Sequence, residues 1–212
     1  MTAPHSVWLL ATTNLAKRHE LGALLAATPV TWRWLGEMPD RPAVAETGAT
    51  FDENAVLKAR AYAAWSGMPA LADDGGLEID ALGGAPGVRS HRWGADRELS
   101  DAELIATTME QMRDIAPGRR GAQMRVVLAL ALPGGAVYTA GGALRGTIAE
   151  RPTPHLDPGF PYRSLFVVPA YDKYFVDLTP EEHEAINHRR NAVQELTRAI
   201  APLLDARGNR GA

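Results

Sequence analysis

The chain has 212 residues, 46% hydrophobic and 22% charged, with a net charge of −3; that is enough for a sizeable core in one domain or two joined lobes, and gives no basic surplus for nucleic acid. The absence of cysteine excludes disulfides, thiolate nucleophiles and cysteine-based zinc sites. No apolar run approaches the roughly 18 residues of a membrane span and Met1 to His5 lack the order of a secretion signal, so the expectation is a cytoplasmic protein without membrane or nucleic-acid partners.

Ser6 to Ala11 reads as a short buried strand. Thr12-Thr13-Asn14 then supplies hydroxyl and amide groups where a helix over Leu15 to Ala27 begins. If Asn14 caps it, Lys17 lies on the same side of the first turn. Donors and a lysine at a helix N-terminus suit a phosphate, although strand, turn and helix also follow one another where no ligand binds. Val30 to Leu35 is the next expected strand and Gly36 to Val44 a loop. Thr50 and Glu53 have capping-box spacing and open a second, alanine-rich helix that carries Lys58.

The stretch from Ala70 to Asp80 holds the densest chemistry. A short apolar approach ends in Asp73 and Asp74, and Gly75-Gly76 is expected to turn the backbone there. Neighbouring side chains of an extended strand point to opposite faces, so the two acids diverge for as long as the strand continues. Buried acids cost desolvation energy unless cations or donors meet them. The segment is therefore either an ordinary surface turn or a metal site with a possible role in water activation.

Ala81 to Val88 reads as a shaped loop, and Arg92 beyond it either meets a phosphate or pairs with an acid. A helix over Leu99 to Ile115 is capped near Ser100. Strands are expected at Val126 to Leu132, Ala136 to Thr139, Leu144 to Ile148 and Leu165 to Val168, with a loop from Arg151 to Pro161. Thr179-Pro180 starts another helix, and a last one covers much of His188 to Leu204 before a frayed 205–212 tail. The change from strand–helix alternation to antiparallel-looking strands predicts a mixed sheet whose second half forms a smaller lobe. Glu46, Asp73 and Asp74 as acids, with Lys17, Lys58, Arg92, His188 and Arg189 as cations or donors, suit a magnesium-bound polyphosphate.

Four stretches, LLATTNLAKRHEL (Leu9 to Leu21), ETGATFDENAVLKARAYA (Glu46 to Ala63), PALADDGGLEIDALGGAPGV (Pro69 to Val88) and DLTPEEHEAINHR (Asp177 to Arg189), resemble the Ham1/RdgB family of nucleoside-triphosphate pyrophosphatases. The resemblance implies an elongated α/β fold over residues 1–212, with a mixed sheet, flanking helices and two lobes around a nucleotide cleft. It also implies a homodimer and Mg2+-dependent hydrolysis of purine nucleoside triphosphates between the α and β phosphates, with inosine and xanthosine triphosphates preferred. By position, Thr12, Asn14, Lys17 and Lys58 would hold phosphates, and Glu46 and Asp74 would organise magnesium. Asp74 would orient or activate the attacking water with Asp73 in support, while His188 and Arg189 would contact the base.

The base-recognition stretch departs from that family. Phe160 and Tyr162 keep aromatic character for substrate binding, but Pro161 stands where a glycine is usual. Arg163 stands where a base-facing aspartate is usual, exchanging an acceptor for a cation. Gly75 and Asn187 each replace a usual serine. An altered base preference is therefore expected. The alternatives are a hydrolase of nucleoside mono- or diphosphates and a relative that binds nucleotide, or is structural, without turnover.

Overall fold

The structure, a computed structural model, describes residues 6–208. Seven strands are present among them: β1 (Val7–Leu10), β2 (Thr31–Trp34), β3 (Ala70–Ile79), β4 (Gly121–Ala131), β5 (Val137–Ile148), β6 (Phe166–Val168) and β7 (Lys173–Tyr174). The α-helices are α1 (Leu15–Leu25), α2 (Phe51–Ser66), α3 (Asp101–Gln111), α4 (Pro180–Ile186), α5 (His188–Ala199) and α6 (Ala201–Gly208). One sheet holds the strands in the order β2-β1-β3-β4-β5-β6-β7. β1 runs parallel to β2 and β3, whereas β6 is antiparallel to β5 and β7. The fold is α/β, with a central mixed sheet flanked by helices. No helix among the described residues is long and apolar enough to cross a membrane.

By contact the chain divides into two compact units, residues 6–74, 127–142 and 189–208 forming one and residues 75–126 and 143–188 the other. In the first, Trp8 and Leu9 of β1, Leu21 of α1, Leu71 of β3 and Leu128 and Leu130 of β4 are buried. Ala55, Ala59 and Ala63, four residues apart on α2, are buried too, so a strip of small side chains lets that helix approach β1 closely. In the second, Leu77, Ile79, Leu104, Met112, Ile148, Leu165, Phe166 and Phe175 form the core. Each large apolar side chain buried this way contributes about 1.5–3 kcal/mol relative to exposure.

The caps form as the sequence suggests, with one difference. Asn14, Thr50, Ser100 and Thr179 all accept backbone N–H groups at helix starts, and Ser100 and Thr179 complete capping boxes with Glu103 and Glu182. The Glu53 carboxylate instead takes the N–H of Ala49, one residue before the cap, so that box stays open.

Several boundaries differ from expectation. β3 runs straight through Gly75 and Gly76 instead of turning. A Cβ on Gly75 would fall on the carbonyl oxygen of Arg125, and one on Gly76 on the Ser90 hydroxyl. These glycines therefore answer a close approach of neighbouring chain, not a bend. β4 begins at Gly121 because Ala122 and Met124 already alternate into the core. The two strands expected between 136 and 148 are one, β5. The last helix breaks after Ala199, since Pro202 lacks an N–H and its ring opposes a continuous helix. Of the expected frayed tail, residues 205–208 continue the backbone of α6 and residues 209–212 lie outside the described set.

Candidate functional site

The first unit gathers acids and lysines around the middle of β3. Asn14 Oδ1 accepts from the N–H groups of Ala16 at 2.9 Å and Lys17 at 3.1 Å, while Thr12 Oγ1 accepts from Asn14 N–H at 3.2 Å. Both polar side chains thus shape the start of α1, and that start places Lys17. The Lys17 ammonium lies 3.0 Å from Asp73 Oδ2. Arg189, at the start of α5, places Nη2 3.7 Å from the same oxygen and Nη1 3.1 Å from Glu20.

Asp74, the next residue along the strand, meets a different helix. Lys58 of α2 donates to Asp74 Oδ1 at 3.0 Å and to Glu46 Oε1 at 2.9 Å. Glu46 is brought there by its loop, since Gly48 N–H is held by the buried Asn54 side chain of α2 at 2.8 Å. Because β3 continues extended, its alternation separates the two acids, Asp73 toward Lys17 and Arg189 and Asp74 toward Lys58.

The electrostatics of the neighbouring acids differ. Burial resists ionisation of Asp73 most strongly, yet Lys17, Arg189 and Lys58 together outweigh it and bring the carboxyl down to about 2. Burial also dominates at Asp74, where Lys58 and Lys17 only partly offset it and Glu46 adds repulsion, so this carboxyl rises above its ordinary value. Burial acts to lower the Lys58 ammonium, but Asp74, Glu46 and Asp73 raise it on balance. One lysine among three carboxylates is stabilised by all of them, while each acid weighs that attraction against its own burial and the repulsion of its neighbours.

Among the described residues no group of three or more histidine, aspartate or glutamate side chains is arranged to hold a metal ion. The donors present nevertheless suit magnesium, which takes one or two carboxylates and keeps several waters or phosphate oxygens. Asp74 Oδ2 is buried without a hydrogen-bond partner, and the Glu46 side chain is partly open to solvent. An unsatisfied buried carboxylate oxygen calls for a cation or a water proton.

The second unit holds the remaining candidates. Tyr162 is buried, its hydroxyl donates to the Ser90 carbonyl, and burial raises its phenol far above the ordinary value. It braces the structure there, and its hydroxyl is already committed within the protein. Arg163 lies over the Phe160 ring at 3.8 Å and the Phe175 ring at 4.8 Å, and pairs with Asp157 at 2.7 Å. Two rings and a carboxylate thus hold the Arg163 guanidinium in place. His188 is buried with its ring 6.4 Å from that of Phe175. Arg92 is half-buried on the turn after a 3-10 segment, its N–H on the Arg89 carbonyl.

The structure therefore brings Thr12, Asn14, Lys17, Glu46, Lys58, Asp73, Asp74 and Arg189 together in one unit, and Phe160, Tyr162 and Arg163 together in the other. Two contributors were not singled out from the sequence. Glu20 stands three residues after Lys17, one helical turn on, which was a usable signal. Asp157 sits in an irregular proline-rich loop, where spacing carries none.

The Ham1 family profile matches residues 8–199. The dITP/XTP pyrophosphatase of Streptomyces avermitilis is 42% identical over 198 residues, which cover 92% of this chain and 98% of that protein. The dITP/XTP pyrophosphatase of Geobacillus kaustophilus is 38% identical over 200 residues, covering 94% and 97%. Among solved structures, a HAM1 protein from Coxiella burnetii superposes with a TM-score of 0.81 at 34% identity, covering 93% of this chain and 99% of that one. A nucleoside-triphosphatase / dITP/XTP pyrophosphatase from Mycobacterium abscessus does so with a TM-score of 0.72 at 37% identity, covering 93% and 98%.

Proposed function

The chain belongs to the Ham1 family, and from that premise we propose that it hydrolyses a purine or modified nucleoside triphosphate at the α–β phosphate bond, releasing nucleoside monophosphate and pyrophosphate with Mg2+ as cofactor. The observation that carries this is the cluster in which Lys58 is shared by Glu46 and Asp74, beside an Asp73 neutralised by Lys17 and Arg189. It offers both charges that phosphoanhydride cleavage needs, carboxylates for a cation and a water, and ammonium groups for phosphate oxygens.

Each residue then has a role consistent with its surroundings. Glu46 and Asp74 would hold magnesium, which would neutralise phosphate charge and raise the acidity of bound water. Asp74 accepts a proton more readily than an ordinary aspartate, because burial and Glu46 raise its carboxyl. Its unpartnered Oδ2 is the atom to orient the attacking water. Lys58 stays an ammonium and can pass from its carboxylates to phosphate oxygens. Lys17, placed by the Asn14 cap, stabilises the leaving pyrophosphate, where negative charge grows most. Asp73, with its low carboxyl, stays ionised and anchors Lys17 and Arg189 instead of moving protons.

A product screen tests the proposal: a nucleotide panel with and without magnesium, resolved by chromatography into monophosphate, pyrophosphate and orthophosphate. Magnesium-dependent monophosphate plus pyrophosphate is expected. Orthophosphate from mono- or diphosphates would replace the proposal with a phosphatase activity, and tight nucleotide binding with no product would make the chain a non-catalytic relative. A homodimer located in the cytoplasm completes the proposal, and light scattering at the protomer mass would contradict the dimer.

A further inference from the structure

Glu46 sits where regular structure gives it no fixed place, since residues 41–48 lie in neither helix nor strand. What holds that segment is α2. Asn54, Lys58 and Tyr62 follow one another at four-residue intervals and so share one face of the helix. Each meets a different point of the segment. Asn54 Oδ1 accepts from Gly48 N–H at 2.8 Å, Lys58 Nζ donates to Glu46 Oε1 at 2.9 Å, and the Tyr62 hydroxyl donates to the Pro42 carbonyl at 3.3 Å. Glu46 thus lies between two ties that do not involve its own side chain.

The three ties differ in kind. Asn54 is 1% exposed, and Gly48 comes so close that a Cβ there would fall 2.7 Å from Asn54 Oδ1 and 2.6 Å from Glu53 Cβ. This contact is neutral, buried and tightly packed, and no step of the proposed reaction calls on it. The Lys58 ammonium is instead divided between Glu46 and Asp74, and the proposed reaction draws it toward phosphate oxygens. A carboxylate that must hold a cation at that moment depends on its outer ties for its place.

We propose that Asn54 is a positioning residue of the hydrolysis site: through Gly48 it holds Glu46 where a divalent cation meets it, wherever the Lys58 ammonium stands, and Tyr62 serves the same end through Pro42. This rests on the function proposed above, in which Glu46 is a cation ligand. The Asn54 amide touches neither cation nor substrate in this role. It keeps the segment from following Lys58 when that side chain turns to phosphate, so the ligand is preorganised and the lysine is free to move.

Two measurements that need no turnover test this. Hydrogen exchange at the Gly48 amide, without added metal, reads the tie itself, and Mn2+ binding, followed through the paramagnetic resonance of the free ion, reads the ligand. Asn54→Ala should speed exchange at Gly48 and weaken Mn2+ binding about tenfold to a hundredfold. Tyr62→Phe, which removes one oxygen and leaves the ring packed, should weaken it less and in the same sense. In turnover, the magnesium concentration for half-maximal rate should rise in step, while kcat at saturating magnesium changes little. Added to Glu46→Gln, Asn54→Ala should weaken Mn2+ binding no further, because it acts through Glu46. A folded Asn54→Ala with wild-type Mn2+ affinity, or one with the same loss on both backgrounds, overturns the proposal and leaves Asn54 a purely structural residue. A wild type that binds no Mn2+ sinks the metal role of Glu46 and this inference with it. Mn2+ binding that weakens as expected in a chain that releases no pyrophosphate supports the positioning role and removes only the reaction.

Discussion

Two buried charge clusters sit in the two units and are stabilised in opposite ways. In the first, Lys58 is divided between Glu46 and Asp74, while Asp73 has two cations of its own. In the second, Arg163 meets the Asp157 carboxylate and two aromatic rings. The first cluster holds like charges close together and leaves Asp74 Oδ2 without a donor. The second sets its charge against the Asp157 carboxylate and packs it on aromatic faces. Crowded acids with an unmet oxygen suit a centre completed by ligands, whereas a clamped ion pair suits fixed geometry. The contrast ties the proposed chemistry to the first cluster and packing to the second.

Asp74→Asn should break that assignment most visibly. It removes the carboxylate proposed both to hold the cation and to orient the water, so turnover should fall about 10²–10⁴-fold, with a smaller loss of nucleotide affinity. Steady-state kinetics beside equilibrium binding of the same nucleotide checks this. Equal losses in the two would reduce Asp74 to a binding group.

The same truncation in each cluster sharpens the comparison. Lys58→Met strands Asp74 and Glu46 without their shared cation and should cost about 3–5 kcal/mol of unfolding free energy. Arg163→Met should cost only about 1–2 kcal/mol, because Asp157 is partly open to water and methionine still packs between rings. Urea unfolding at neutral pH without magnesium measures both. Adding magnesium should recover part of the Lys58→Met loss and none of the other.

Acid provides a third distinction. Asp73 has a folded value of about 2 against an ordinary 3.8. A depressed acid stabilises the fold above its unfolded value, and that contribution disappears as pH falls through the folded one. Between about pH 4 and pH 2 the wild type should therefore lose about 2 kcal/mol that Asp73→Asn does not. Asp74 acts in the opposite sense, since its raised carboxyl opposes folding when ionised and the penalty eases on acidification. Comparing wild type with Asp73→Asn keeps Asp74 in both. Parallel acid limbs would mean that Asp73 is not held low.

Much of the first cluster was legible in the sequence because its residues sit on regular elements. A cap at Asn14 fixes where Lys17 points, and period-two alternation separates Asp73 from Asp74 once the strand is known to continue. The second cluster was far less legible. Arg163 was conspicuous as a substitution, but its partner lies six residues away in a loop, and only folding decides that two rings close on the guanidinium. Tyr162 shows the same limit, since the Ser90 carbonyl that takes its hydroxyl proton lies far away in the chain. Gly75-Gly76 was misread as a turn because glycine signals both a bend and a close approach, and sequence does not say which.

Gly75 also yields the smallest of the expected effects, and it bears on how the acids are presented. It follows Asp74 directly, and any Cβ there meets the Arg125 carbonyl and comes within 2.9 Å of Val126 Cα. Gly75→Ser would force β3 and its neighbour apart, an overpacking cost of about 1–3 kcal/mol. Part of this is offset by about 0.5–1 kcal/mol, because a strand glycine is entropically expensive. A net loss of about 1 kcal/mol is expected by urea unfolding. Since the shift falls next to Asp74, turnover should drop more than stability alone explains. A Gly75→Ser variant as stable and active as wild type would mean that β4 yields at no cost, and that the glycine does not set the position of the acids.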